Sequence, residues 1–247
     1  MVKKIHYIWL GGNKKSKRIE KCIKSWRKYF PDWEIVEWNE QNLEIDVLTY
    51  CRQAYDCKKY AFVSDYFRFQ ILYQYGGIYF DTDVEIIRPM DDILEKYSIF
   101  MGFENERFVN PGLVTFASVS GLEFFKKICD TYKNDAFINE DGSYNTFTVG
   151  ERTTEILKAL GFKINDTLQV IDDIAIFPHD VFCPTDFVWS RQDFTQNTRS
   201  IHHYDASWKE LSVRIKQNTK RLIYRIFKPR LVKSVLAKVR CLTGRKV

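Results

Sequence analysis

Apolar positions along the chain switch between short β-branched runs and helical spacing. Residues 3–10, KKIHYIWL, form a β-branched and aromatic run that ends at Gly11-Gly12. Ser16 then stands where a helix needs an N-cap, ahead of Ile19, Ile23, Trp26 and Phe30 on one helical face. Pro31 stops that helix, and WEIVEW (33–38) alternates as a second strand before a polar turn at Asn39 to Asn42. Strand, helix and strand predict a βαβ unit and hence a parallel sheet. Tyr60 to Tyr75 holds no Gly or Pro, and its Phe62, Phe69, Leu72 and Tyr73 predict a largely buried helix closed by Gly76-Gly77. Ile78-Tyr79-Phe80 follows as a strand and runs straight into Asp81-Thr82-Asp83. Further strands are expected at Val84 to Ile87, Ser98 to Phe103 and Leu113 to Phe116, and helices over 121–133 and 151–160.

The pattern changes near Ser207. From Leu222 onward Ile223, Ile226, Phe227, Leu231, Val232, Val235, Leu236 and Val239 recur at helical spacing around Pro229, with Lys and Arg in most other positions. Residues 211–247 hold 12 Lys or Arg and no acid, which leaves 26 basic against 32 acidic residues before them. The body is therefore −6 and the tail +12, although the net charge is +6. An anionic surface is the expected partner of 211–247; the apolar stripe suits lipid headgroups, and with no nucleic-acid motif present no nucleic acid is expected. The organisation expected is a catalytic body over 1–208 and a basic amphipathic helical tail over 209–247, a membrane-surface anchor.

Composition adds exclusions. Apolar residues make up 45% and aromatics 16% of the 247 residues, which suits one packed α/β domain and excludes a disordered or fibrous chain. No stretch approaches the roughly 20 uninterrupted apolar residues of a membrane span. The apolar run after Met1 is too short for a signal-peptide core, and the six cysteines form no C-x-x-C pair, so reduced thiols in the cytoplasm are expected.

The chemistry concentrates after the third strand. Residues two apart in a strand face the same side, so Asp81 and Asp83 can aim two hard oxygen ligands into one pocket, which suits Mg²⁺ or Mn²⁺. A solvated turn or strand-end cap is the alternative for any isolated Asp-x-Asp. Asp65 and Arg68 lie three apart on one face of an apolar helix, either as a structural ion pair or as functional groups.

The block AFVSDYFRFQILYQYGGIYFDTDVEIIRP (61–89), with IHYIWLGG at the start and HHYDASW (202–208) near the end of the body, resembles glycosyltransferase family 32. That family includes capsular polysaccharide transferases and fungal mannosyltransferases, and a similar S-D-x-x-R and G-G-x-Y-x-D-x-D block occurs in the glucosylating domains of large clostridial toxins. The resemblance implies a GT-A type nucleotide-diphospho-sugar transferase fold, a Rossmann-like mixed sheet flanked by helices, and retention of anomeric configuration. It implies a nucleotide side formed by Trp9, Leu10 and Gly11, with the Trp9 indole stacked on the base, unless Trp9 is a core residue. Asp65 and Arg68 would contact donor sugar and phosphate. Asp81 and Asp83, with Thr82 between them, would hold ribose and metal. One histidine of His202-His203 would complete the metal coordination, with His203 favoured, and Ser207 and Trp208 would close over the diphosphate.

Two departures stand out. Many relatives carry Gly-Pro where this chain has Val149-Gly150-Glu151, which puts a contact from that loop in doubt, and Asn110 before Pro111-Gly112 is either a sugar contact or a turn former. With Asp81 and Asp83 committed to cation and ribose, no convincing covalent nucleophile stands out, so front-face substitution is the expected route. The expected protein is a cytoplasmic transferase at the inner face of the membrane, dependent on Mn²⁺ or Mg²⁺. It would move a sugar, with UDP the favoured carrier, onto a saccharide or lipid-linked oligosaccharide during capsule, exopolysaccharide or surface-glycan assembly. Two rivals are a toxin-like effector that glycosylates a protein and a non-enzymatic binder with a degenerate transferase fold.

Overall fold

A computed structural model describes residues 1–104, 108–185 and 193–204. Strand β1 (Lys4–Ile8) leads into α1 (Lys17–Tyr29), whose first turn is capped by Ser16 accepting from the Ile19 amide at 3.3 Å. Strand β2 (Glu34–Trp38), a 3₁₀ turn (Ile45–Val47) and α2 (Thr49–Asp56) follow. The long α3 (Tyr60–Tyr75) ends at Gly76 and passes directly into β3 (Gly77–Tyr79). The two glycines explain the tight passage: both have positive φ, and a Cβ on Gly77 would stand 2.5 Å from the Lys4 carbonyl oxygen. Then come β4 (Val84–Ile86), α4 (Asp91–Leu94), β5 (Ile99–Gly102), β6 (Thr115–Ala117) and α5 (Glu123–Asp130). The described chain finishes with α6 (Val149–Ala159), β7 (Gln169–Ile171), β8 (Ile174–Phe177), α7 (His179–Phe182) and β9 (Ser200–His202).

Seven strands form one sheet in the order β2-β1-β3-β6-β5-β8-β7, and β4 pairs with β9 in a second, two-stranded sheet. The β2-β1-β3 part is parallel, as the strand-helix-strand pattern predicts. The full sheet is mixed, because β6 runs antiparallel to both β3 and β5, and β7 to β8. The α/β class and the mixed, helix-flanked sheet expected of a GT-A fold are thus both present. Residues 209–247, and with them the expected boundary of the tail, lie outside the described residues.

Helices cover both faces. On one, Phe67, Phe69 and Leu72 of α3 pack with Phe125 and Ile128 of α5 and Leu157 of α6. On the other, Trp26 and Phe30 of α1 pack with Phe80, Val84, Phe100 and Phe116. Trp26 holds both flanks of the Asp-x-Asp triplet. Its ring stacks on Phe80 at 5.5 Å, and its Nε1–H donates to the Val84 carbonyl at 2.8 Å. Buried His6 ties the same sheet edge together as a neutral ring, with Nε2 donating to the Gly76 carbonyl at 2.9 Å and Nδ1 accepting from Trp38 Nε1–H at 3.1 Å. Burial pulls its pKa down to about 4.

Candidate active site

Parallel pairing sets the location of the site. Ile5 lies opposite Ile78 and His6 opposite Tyr79, and the Phe80 amide donates to the His6 carbonyl at 3.1 Å. Trp9 to Gly11 therefore leave β1, and Asp81 to Asp83 leave β3, at the same carboxyl edge, where open α/β sheets bind ligands.

The residues of the first motif separate here. Trp9 is half-buried rather than a core residue, and its Nε1–H donates to the Asn13 carbonyl at 2.7 Å, with Lys15 Nζ 5.6 Å from its ring. Leu10 is buried in the core. Gly11 has φ +84°, and a Cβ there would stand 2.4 Å from the ring of Tyr60, the first residue of α3.

Asp81, Asp83 and His202 each present a ligand atom, all within 4.8 Å of one another. His202 Nε2 lies 3.1 Å from Asp83 Oδ1. The expected histidine is therefore corrected: His202, and not His203, joins the aspartates. In the β4–β9 pair His202 sits opposite Val84, next to Asp83, whereas His203 binds Glu85 through Nε2 at 2.8 Å and is occupied there. Burial lowers the His202 pKa, but the Asp83 carboxylate outweighs burial and carries the ring well above its usual range.

Asp81 is pushed up by burial and by Asp83, against the pull of Arg68. Two carboxylates that repel each other and an imidazole held as a cation make a donor set that fits a divalent metal. Two hard oxygens and a ring nitrogen suit Mn²⁺ or Mg²⁺, whose binding would displace the histidine proton.

Behind the aspartates, Arg68 is 3% exposed and bridges two acids. Its Nη2 lies 2.8 Å from Asp65 Oδ1 and 3.5 Å from Asp81 Oδ1, and it also donates to the Ser64 hydroxyl. Among the described residues its Nη1 is buried without a partner. Asp65 is raised to about 6 by burial, partly offset by Arg68 and by the Val149 amide. Val149 opens α6, so the segment that departs from the relatives' Gly-Pro still supplies a backbone N–H to Asp65.

The structure adds residues that patterning missed. Tyr79 OH donates to Asp81 Oδ1 at 3.0 Å. A Cβ on Gly112 would stand 2.1 Å from Asp81 Oδ2 and 2.7 Å from Arg68 Nη1. Asn110 is the turn former of the two alternatives: its Oδ1 accepts from the Gly112 amide at 2.8 Å, and its Nδ2 donates to Glu104 at 2.7 Å. A glycine after Asn-Pro was the one available signal for this close approach. Ser207 and Trp208 lie outside the described residues, and Thr82 is half-buried between the aspartates.

Residues 16–100 match the family described as "Glycosyltransferase sugar-binding region containing DXD motif". Inositol phosphoceramide mannosyltransferase 1 of Schizosaccharomyces pombe is 27% identical over 121 residues, covering 42% of this chain and 36% of that protein. Inositol phosphoceramide mannosyltransferase 3 of the same yeast is 34% identical over 90 residues, covering 35% and 22%. Subversion of eukaryotic traffic protein A of Legionella pneumophila is 28% identical over 125 residues, covering 40% and 19%. The chain thus spans 19% to 36% of the length of these relatives. Among solved structures, the PaToxG glycosyltransferase aligns over 64% of this chain and 68% of its own at 18% identity and a TM-score of 0.47. The galactosyltransferase LgtC aligns over 91% and 96% at 11% identity and a TM-score of 0.44. Asp81-Thr82-Asp83 is the one Asp-x-Asp triplet within the matched residues, so the candidate site lies in the part of the chain that is similar to that family.

Proposed function

We propose that the protein is a metal-dependent glycosyltransferase that moves a sugar from a nucleotide diphosphate, with UDP the favoured carrier, onto a saccharide or lipid-linked oligosaccharide. The observation that carries this is the convergence of Asp81, Asp83 and His202 within 4.8 Å at the carboxyl edge of the sheet. A divalent cation there would neutralise charge on the leaving diphosphate. The chain's own groups do the remainder. Arg68 fixes the Asp81 carboxylate, and its Nη1 is buried without a partner among the described residues. Ionised Asp65 accepts from donor-sugar hydroxyls, and the half-buried Trp9 ring offers a face for the base. Asp65, Asp81 and Asp83 are all engaged in these roles, which favours front-face substitution with retention.

In this reading the transferase works in the cytoplasm at the inner membrane face, on capsule, exopolysaccharide or other surface glycans. The charge of 211–247 supports docking on anionic lipid, at about 1 kcal/mol per engaged Lys or Arg. Among the described residues no helix is long and apolar enough to cross a membrane. The mannosyltransferase relatives make a mannose carrier the second donor to try, and a protein acceptor is the rival to a saccharide.

The test is hydrolysis of a panel of UDP- and GDP-sugars with Mn²⁺, Mg²⁺ or EDTA, for native protein and Asp83→Asn. Metal-dependent cleavage of a donor, lost in the variant, supports the proposal. Cleavage that survives both EDTA and the substitution would sink it.

A further inference from the structure

The connection between α5 and α6 carries three large apolar side chains in the open: Ile138, Tyr144 and Phe147 are 36%, 44% and 42% exposed. They are held in place. Ile138 and Tyr144 pair in an antiparallel bridge, and the Tyr144 ring stacks on fully buried Phe137 at 5.0 Å and 22°. Phe147 is propped by the Arg152 guanidinium, which lies 5.1 Å from its ring and 4.0 Å from the buried Tyr132 ring. Arg152 is itself anchored on Asp135 and on the Thr131 carbonyl and hydroxyl.

This shelf adjoins the candidate site from two sides. Phe147 precedes Thr148, the N-cap of α6, and the next residue, Val149, gives its amide to Asp65. Lys59, the residue before α3, places Nζ 5.6 Å from the Tyr144 ring centroid, and Asp65 lies in the second turn of that helix.

Resting on the function proposed above, we propose that Tyr144 and Phe147 form the acceptor subsite, a stacking shelf for the C–H face of an acceptor pyranose beside Asp65. A pyranose has one apolar face and a rim of hydroxyls, and the shelf offers aromatic faces flanked by the Lys59 and Arg152 cations. The exposed apolar area, roughly 200–300 Å² from three side chains about two-fifths open, is of ring size. A stable protein partner needs about 800 Å².

The test is saturation transfer from protein to ligand in NMR, using methyl α-mannopyranoside, methyl β-glucopyranoside and methyl β-galactopyranoside as probes. Native protein, Phe147→Ala, Tyr144→Ala and the double variant are compared, with UDP and GDP titrated in parallel. At least one glycoside should bind native protein through its C–H face. Its dissociation constant should rise about tenfold in the double variant, with nucleotide affinity retained and Phe147→Trp restoring glycoside binding. Glycoside binding that is absent from native protein, or unchanged in the double variant, overturns the proposal. So does a parallel loss of nucleotide affinity, which would assign the shelf to the donor. The glycoside signal needs no donor turnover, so failure of the transferase reading is seen separately.

Discussion

Gly112 and Asp81 are in backbone contact and also face each other so closely that no side chain fits between them. The Asp81 amide donates to the Gly112 carbonyl at 2.9 Å, and a Cβ on Gly112 would stand 2.1 Å from Asp81 Oδ2. The φ of Gly112 is ordinary, so the glycine serves space and not backbone freedom. Gly112→Ala must therefore displace the Asp81 carboxylate or the Arg68 guanidinium. The expected outcome is a loss of at least about tenfold in apparent Mn²⁺ affinity, measured by metal titration. The stability cost should stay near 1–3 kcal/mol.

Arg68 neutralises two buried acids at once, so its removal should cost more than a surface ion pair. Arg68→Met is expected to destabilise the fold by about 3–5 kcal/mol, because Asp65 and Asp81 are then buried without their cation. Arg68→Lys keeps the charge but loses the planar fork, and should recover part of the stability and little of the activity. Urea unfolding of the variants alongside native protein measures the stabilities, and metal-dependent donor hydrolysis measures the activity.

The two neighbouring histidines should behave differently. His202→Ala removes a member of the three-ligand cluster and should weaken Mn²⁺ binding at least about tenfold. His203→Ala loses a contact to Glu85, which keeps Lys21 as a partner at 2.8 Å, and should leave metal affinity within about twofold. Equal effects in a metal titration would count against the geometry.

His6 makes a pH dependence of folding with a definite sign. Its folded pKa, about 4, lies below the usual 6.5, so between these values the unfolded chain binds more protons. Stability is then complete above about 6.5 and falls as pH drops toward 4. Asp65, raised to about 6 from 3.8, acts in the opposite direction over nearly the same range, since there the folded state holds more protons. The His6 contribution is therefore read as a difference. Relative to His6→Gln, native protein should lose roughly 2–3 kcal/mol between pH 6.5 and 4, measured by urea unfolding across that range.

Much of this arrangement could be read from residue order. The strand, glycine turn and capped helix at 3–30, the buried helix ending at Gly76-Gly77 and the placement of Asp81 and Asp83 at a strand end all follow from local pattern, because each depends on neighbours in sequence. What could not be read depends on pairing between distant segments. The choice between His202 and His203 is set by the β4–β9 register, which joins residues more than a hundred positions apart. The pressure of Gly112 on Asp81, and the Val149 amide at Asp65, arise where segments far apart in sequence meet. The antiparallel insertion of β6 between β3 and β5 likewise leaves no periodic signal in the sequence.

The most direct test of the central claim is calorimetric titration of UDP and GDP into native protein and Asp83→Asn, with Mn²⁺ and with EDTA. If Asp81, Asp83 and His202 hold a cation that receives a nucleotide diphosphate, one nucleotide binds native protein with Mn²⁺, and its affinity collapses in EDTA and in the variant alike. Binding of equal strength in all four conditions would contradict the claim that this cluster is a metal-dependent nucleotide site.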